Sequence, residues 1–309
     1  MTIPFIRYNN VPNKNVEIIP ITTKVFAVEV LLSNHELVND KEYYINAMNA
    51  GYFSSMHYLY RNLDKRFNPS SLVEGATTVL VFLAPYSLPL SFKEKYSVPS
   101  IAEYALGKDY HKVIKDKLFV IIEYLKKDNQ NFIGRAFTDS APILERAWAV
   151  KAGLGFIGQN NSLVSPFYGV KNLIGVIVCN VSLPDKYTLY PNLKEKIQKA
   201  KAVCKTCNKC LKACKNGSLA APYTLDARKC TSYLTIESKD IEKDMVESGV
   251  KSFNGWYYGC DMCINVCPWN SKNAEGWSDF RVNFDILSKT DYNWWNSLTN
   301  EQFNEIFKD

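Results

Sequence analysis

Cys204-Lys-Thr-Cys207-Asn-Lys-Cys210-Leu-Lys-Ala-Cys214 sets four cysteines apart by two, two and three residues. That rhythm ligates cubane iron-sulfur clusters, with three cysteines on one cluster and the fourth reaching across to a second. A second group must therefore exist. Cys260-Asp-Met-Cys263-Ile-Asn-Val-Cys267-Pro268 supplies three more ligands, and Cys230 fills the position it lacks. The same rule assigns Cys204, Cys207, Cys210 and Cys267 to one 4Fe-4S cluster, and Cys214, Cys230, Cys260 and Cys263 to the other. Zinc ribbons also use Cys-x2-Cys pairs and are the structural alternative, but they lack the two, two, three run with a partial second copy. Lys215 stands where proline usually follows such a run, which alters a turn and not the ligation. Cys179, the ninth cysteine, lies in an apolar strand pattern and reads as a buried small side chain.

Upstream of the cysteines the pattern is that of a mixed α/β domain. Residues 77–83 read TTVLVFL and end at Pro85, and Leu173 to Val181 is equally apolar, so both are expected as buried strands. Ile114, Leu118, Ile121, Ile122 and Leu125 recur at helical spacing between His111 and Lys126. Asp139-Ser-Ala-Pro142 offers a cap and an early proline before ILERAWAVKA, which Gly153 closes, so a second helix is expected there. The lysine-rich segment Lys194 to Ala202 leads into the first cysteine. The expected division is residues 1–193, a cluster-bearing domain at 194–275, and an aromatic tail at 276–309 with Trp277, Trp294, Trp295, Phe303 and Phe307.

With 47% hydrophobic and 22% charged residues in 309, the chain is neither disordered nor fibrous, and is long enough for two cores. Met1 to Asn10 has no signal-like apolar run, and neither apolar strand approaches the roughly 20 residues of a membrane span. A cytoplasmic, non-membrane protein is expected, where cysteines serve as ligands more readily than as disulfides. Its net charge of +6 suits an acidic partner. Lys194, Lys196, Lys199, Lys201, Lys205, Lys209, Lys212 and Lys215 form either a solvated face or a surface for such a partner.

Two motifs point elsewhere by letter alone. Gly153-x-Gly155-x-x-Gly158 matches a dinucleotide fingerprint but follows a helix instead of a strand, so close backbone approach explains it better. Asp109-x-His111 lacks the glycine of a cobalt-ligating histidine motif, having Ile114 there. Only His35, His57 and His111 exist, so a carboxylate is the expected proton donor. Asp139 is the candidate, its competing role being the helix cap.

Together with the cysteines, Gly107-Lys-Asp-Tyr-His111, Arg135-Ala-Phe-Thr-Asp139-Ser-Ala-Pro-Ile-Leu-Glu145-Arg, Ala152-Gly-Leu-Gly-Phe-Ile-Gly158, Asp226-Ala-Arg-Lys-Cys230-Thr-Ser-Tyr and Trp256 to Asn270 resemble the epoxyqueuosine reductases. The resemblance runs from about Gly51 to Asn270 and implies a short member without the family's C-terminal helical-repeat domain. It departs from the family at Phe156 and Gln159, where tryptophan and lysine are usual. What it implies is a cobalamin-binding α/β (α+β) sandwich related to nitroreductases, followed by a ferredoxin-like domain with two 4Fe-4S clusters. The implied reaction removes the epoxide oxygen of epoxyqueuosine in tRNA. Asp139 is the implied acid, and Arg66, Asp139, Ser232 and Asp261 the implied cobalamin contacts. A monomer fed by a ferredoxin or flavodoxin-type donor is expected. A related corrinoid iron-sulfur reductase with another substrate, or an electron-transfer protein without its own catalysis, is the competing expectation.

Overall fold

Four antiparallel strands make one sheet whose two central members are covered on both faces. The computed structural model describes residues 27–31, 37–88, 100–181, 193–270, 276–280, 292–299, 301, 302 and 305. Residues 1–10, His35, Phe303 and Phe307, named above, lie outside the described residues, as does the side chain of Trp295. In chain order the first elements are β1 (Ala27–Leu31), α1 (Val38–Asn49), α2 (Leu63–Phe67), β2 (Thr78–Pro85), α3 (Tyr110–Asp128) and β3 (Gly134–Phe137). They continue with α4 (Glu145–Lys151), β4 (Phe156–Ile157), β5 (Leu163–Val164) and β6 (Asn172–Cys179). The sheet order is β1-β2-β6-β3, with Val79 opposite Val178 and Phe82 opposite Gly175.

Side chains alternate across a strand, so β2 and β6 each serve two cores. Val79, Val81, Leu83, Ile174, Val176 and Val178 pack with Ala147, Trp148 and Ala149 of α4. Leu80, Phe82, Ala84, Ile177 and Cys179 pack with Ile114, Leu118, Ile122 and Leu125, a single stripe along α3. That double coverage is why β2 and β6 read as unbroken apolar runs and not as alternating ones. Cys179 is a buried member of the second core. α3 is capped by the Asp109 carboxylate, which accepts the His111 N–H at 2.9 Å.

Gly175 is the point of closest approach between sheet and helix. A Cβ there would lie 2.8 Å from Ile114 Cγ2 and 3.1 Å from Leu118 Cδ1. Gly175→Val, although it favours strand, should destabilise by about 1–3 kcal/mol through overpacking. Urea unfolding of the purified protein measures this, and an unshifted midpoint would show that α3 simply moves away.

The second helix starts later than expected. α4 begins at Glu145 with Leu144 as its N-cap residue, so neither Asp139 nor Ser140 caps it. Asp139 instead takes a left-handed backbone conformation, φ 57°, just past β3. The physical reason is a side-chain contact: Glu145 Oε1 accepts the Asp139 N–H at 2.6 Å and ties the loop to the helix start.

The cluster-bearing segment comprises α5 (Leu193–Cys207), α6 (Lys209–Ala213), the hairpin β7 (Leu219–Ala221) and β8 (Thr224–Leu225), α7 (Thr231–Ile236), α8 (Ile241–Ser248) and α9 (Met262–Asn265). A last helix, α10, spans Tyr292–Ser297. Trp277, expected in a tail, is buried in the α3 core and stacks on Phe280 with ring centroids 5.6 Å apart. Its backbone N–H donates to the Pro85 carbonyl at 2.9 Å, so the chain returns to the end of β2 after the last cysteine. Among the described residues no helix is long and apolar enough to cross a membrane.

Candidate active site

α5 stops at Cys207 because Asn208 adopts φ 52°, a left-handed conformation that asparagine tolerates. The break turns Cys210, on α6, back toward Cys204 and Cys207. These three and Cys267 line one cavity with Gly158, Gln159, Asn208, Lys209 and Trp269, while none of the other five cysteines borders it. The cavity rests on Phe156, Val164, Val170 and Ala200. Gly155 makes this possible, since a Cβ there would lie 2.3 Å from the Val164 carbonyl oxygen. This is the close approach that the glycine pattern led us to expect. Gln159 is buried behind the cavity, donates to the Cys204 carbonyl, and keeps an Oε1 with no partner among the described residues.

The electrostatic neighbourhood divides the eight thiols in two. Burial first, and then Cys204, Cys210 and Cys207, push the Cys267 thiol up to about 11. Burial first, and then Cys230 and Cys214 with Asp261 between them in strength, push Cys260 up to about 11. Cys263 is raised further by burial and by Cys230, Cys260 and Cys214, with Cys210 a weaker neighbour, so Cys210 lies where the two groups adjoin. Thiols raised this far stay protonated near neutral pH, so loading iron must expel their protons. Among the described residues no three His, Cys, Asp or Glu side chains converge on the position of a single ion. A cubane needs no such convergence, because each sulfur binds a different corner. The donor set and the cavity therefore fit a cluster.

From the Cys260 group a run of buried polar residues leads to Asp139. Asp261 is buried at the start of α9 and its Oδ2 accepts the Glu103 N–H at 2.7 Å. Glu103 in turn forms a buried ion pair with Lys171. Tyr86 is raised by burial and then by Asp261, Glu103, Tyr104 and Cys263. Tyr104 is raised by burial and then by Tyr258, Asp261, Asp139 and Glu237, and its ring lies 5.8 Å from that of Tyr110.

Asp139 Oδ2 accepts the Tyr110 hydroxyl at 2.5 Å and lies 3.4 Å from His111 Nε2. His111 Nδ1 is 2.8 Å from Asp109 Oδ1. The Tyr110 hydroxyl is held protonated by burial and by the Asp139 carboxylate. Asp139 is not shielded by its own chain, its side chain being 65% exposed. Beside it, burial and then the Asp139 charge push Glu145 up to about 8. Glu145 thus binds a proton in the fold that it loses when unfolded above its ordinary range, and stability falls as pH rises from about 4.5 toward 8. Glu145→Gln keeps the acceptor oxygen for the Asp139 N–H and removes this titration. Its Tm should fall less than that of the unmodified protein between pH 6 and pH 8, and parallel thermal melts would contradict the assignment.

Arg66 is buried, 7% exposed, with its guanidinium over the Tyr44 ring at 5.5 Å and Nη2 donating to the Tyr58 carbonyl at 3.2 Å. Its Nε has no hydrogen-bond partner among the described residues. Tyr58 is raised by burial and then by Glu237 and Asp139, with Arg66 acting against them. Ser232, half-buried on α7, is five residues before Glu237. Sequence reasoning missed Tyr58, Tyr104, Tyr110, Glu103, Glu145 and Glu237. Tyr110 and Glu145 lay inside motifs already quoted, whereas Tyr58, Tyr104, Glu103 and Glu237 carried no signal of their own.

Known proteins match this arrangement. Residues 203–270 match the 4Fe-4S double cluster binding domain, and residues 66–140 match the family described as epoxyqueuosine reductase QueG, DUF1730. The solved epoxyqueuosine reductase bound to a tRNA-Tyr epoxyqueuosine-modified tRNA stem loop shares the fold, with TM-score 0.70 and 23% identity over 92% of this chain and 71% of that one. The Streptococcus thermophilus epoxyqueuosine reductase gives TM-score 0.69 at 24% identity, over 91% and 71%. In sequence, the epoxyqueuosine reductase of Leadbetterella byssophila is 35% identical over 84% of this chain and 80% of its own length. That of Cyclobacterium marinum is 36% identical over 263 residues, 85% of this chain and 80% of that protein, and on this similarity the chain belongs to the epoxyqueuosine reductase family.

Proposed function

We propose that this chain reduces epoxyqueuosine to queuosine in tRNA, with Asp139 as the proton donor and two 4Fe-4S clusters and cobalamin as cofactors. The activity of its relatives supports this reading, and the observation that carries it is the run of contacts from Cys260 and Asp261 through Glu103, Tyr104 and Tyr110 to Asp139. Cys204, Cys207, Cys210 and Cys267 would hold one cluster, and Cys214, Cys230, Cys260 and Cys263 the other. Arg66, Ser232, Asp261 and Asp139 would hold cobalamin, for whose polar rim the orphaned Arg66 Nε is a suitable donor. When bound, the clusters supply single electrons and cobalamin a cobalt centre able to act on carbon.

The overall change breaks two carbon-oxygen bonds, forms a carbon-carbon double bond and releases water, consuming two electrons and two protons. The chain's own part is the protons. Asp139 delivers one to the departing oxygen, and the exposure of its side chain means that bound substrate and cofactor must exclude water from it. Tyr110 fixes Oδ2 by donating to it, and His111, held by Asp109, is positioned to return a proton to the same oxygen. Glu145 holds the loop through the Asp139 N–H.

The proposal extends to a cytoplasmic monomer without membrane contact, fed by a ferredoxin or flavodoxin-type donor. It divides the chain into a nitroreductase-related cobalamin domain at 1–193, a ferredoxin-like domain at 194–275 and a tail at 276–309. The test is to reconstitute the protein anaerobically, add reductant and an epoxyqueuosine-containing tRNA stem loop, and weigh the digested nucleoside. Loss of one oxygen is expected. An unchanged epoxide with fully loaded protein would refute the substrate.

A further inference from the structure

We propose that the lysine flank of α5 and α6 is the docking surface of an acidic electron-carrier protein, which delivers single electrons to the cluster of Cys204, Cys207, Cys210 and Cys267. This rests on the reading of the cysteines as cluster ligands and, in choosing a carrier over RNA, on the reaction proposed at Asp139.

The helix geometry makes the flank. α5 buries Ala200 and rests Ile197 and Cys204 against the first domain. At 100° per residue, Lys194, Lys201 and Lys205 then fall in one row beside that buried face, all exposed. Lys209 and Lys212 continue the exposed lysines onto α6. Each gap between successive cysteines of the first run therefore carries a lysine, at 205, 209 and 212.

The fold does not use these charges. Glu195 is the sole acid between residues 193 and 215, and it pairs with Lys199 at 2.6 Å. Among the described residues no ion pair engages Lys201, Lys205, Lys209 or Lys212. Like charges at i, i+4, as at Lys201 and Lys205, cost about 0.2–0.5 kcal/mol that no ion pair among the described residues offsets. A row of such charge suits a brief encounter between redox proteins, in which charge sets the rate of approach.

Position decides between a carrier and RNA. Asp261 follows Cys260 and accepts the Glu103 N–H, and Tyr104, next to Glu103, packs its ring 5.8 Å from that of Tyr110, which donates to Asp139, so the Cys260 group is the inner one. Cys204, Cys207, Cys210 and Cys267 line a cavity that Asp261, Glu103, Tyr104, Tyr110 and Asp139 do not border, so their group is the outer one. RNA must present its modified base at Asp139. Electrons must enter at the opposite end, where the lysines are. In the step itself the carrier loses one electron and the oxidised outer cluster gains it, with no bond made and no proton moved.

The experiment replaces Lys194, Lys201, Lys205 and Lys212 together with Glu in the full chain with reconstituted clusters. Bleaching of cluster absorbance is followed after anaerobic mixing with reduced flavodoxin, and separately with photoreduced deazariboflavin, which is uncharged. Binding of a tRNA stem loop is measured in the same buffer. The flavodoxin rate should fall about 10- to 10³-fold at low salt, the range of electrostatic steering, and the gap should close as salt rises. The deazariboflavin rate and stem-loop affinity should not change. An unchanged flavodoxin rate overturns the proposal, and lost stem-loop affinity with that rate intact gives the face to RNA. Should the Glu variant lose iron, the four-Gln variant is read instead, with a smaller fall expected and an unchanged rate again overturning the proposal. No epoxide enters the bleaching measurement, so this proposal and the substrate reading fail independently.

Discussion

Asp139→Asn should retain the fold, both clusters and cobalamin binding, yet lose about 10²- to 10⁴-fold in single-turnover epoxide reduction, the usual contribution of a general acid. Asparagine tolerates the left-handed backbone that Asp139 adopts, and its N–H remains available to Glu145 Oε1. Its amide still accepts from Tyr110, but it has no acidic proton to give. Pre-reduced, fully loaded protein removes electron supply and cofactor loss as explanations. Because α4 is not capped by Asp139, a stability change cannot stand in for the lost activity. A rate close to that of the unmodified protein would move the proton donor to His111 or to water.

Cys267→Ala should halve the iron, from about eight to about four per chain, whereas Cys179→Ser should leave it unchanged. Cys267 shares its cavity with Cys204, Cys207 and Cys210, so its loss opens that cluster and spares the inner one. Cys179 is enclosed by Leu80, Ile177 and the α3 stripe, away from the other eight thiols. Iron and acid-labile sulfide assays after anaerobic reconstitution measure both. Equal losses in the two variants, or a complete loss in the first, would break the pairing of four and four.

The sequence made the cluster ligands legible because cubane ligation is local, with each short gap fixed by the size of the cluster. β2, β6 and α3 were legible for a similar reason, their periodicities being set by faces that are buried throughout. α1 was not, since none of its residues is buried and it has no apolar stripe to read. The start of α4 was misread because Asp139-Ser140-Ala141-Pro142 satisfies the local rules for a cap. A contact between Asp139 and Glu145 outweighed those rules.

The surroundings of Asp139 were legible only in part. Tyr110 and His111 lie next to each other on α3, but Tyr58, Tyr104 and Glu237 come from three distant segments, brought together by packing that leaves no spacing signature. The side chain of Asp139 is exposed, so the chain alone does not shield it. Trp277 likewise gave no sign that it would return to cover α3, because its partners are more than a hundred residues away.

The central claim is that two clusters and cobalamin act together on an epoxide beside Asp139. The most direct test is to follow one turnover of an epoxyqueuosine stem loop by the pre-reduced, cluster-loaded protein with cobalamin supplied or withheld, and to count the oxygens of the recovered nucleoside. The account predicts that one oxygen is lost when cobalamin is supplied and that the epoxide is intact when it is withheld. Equal oxygen loss in both, or none in either, would contradict it.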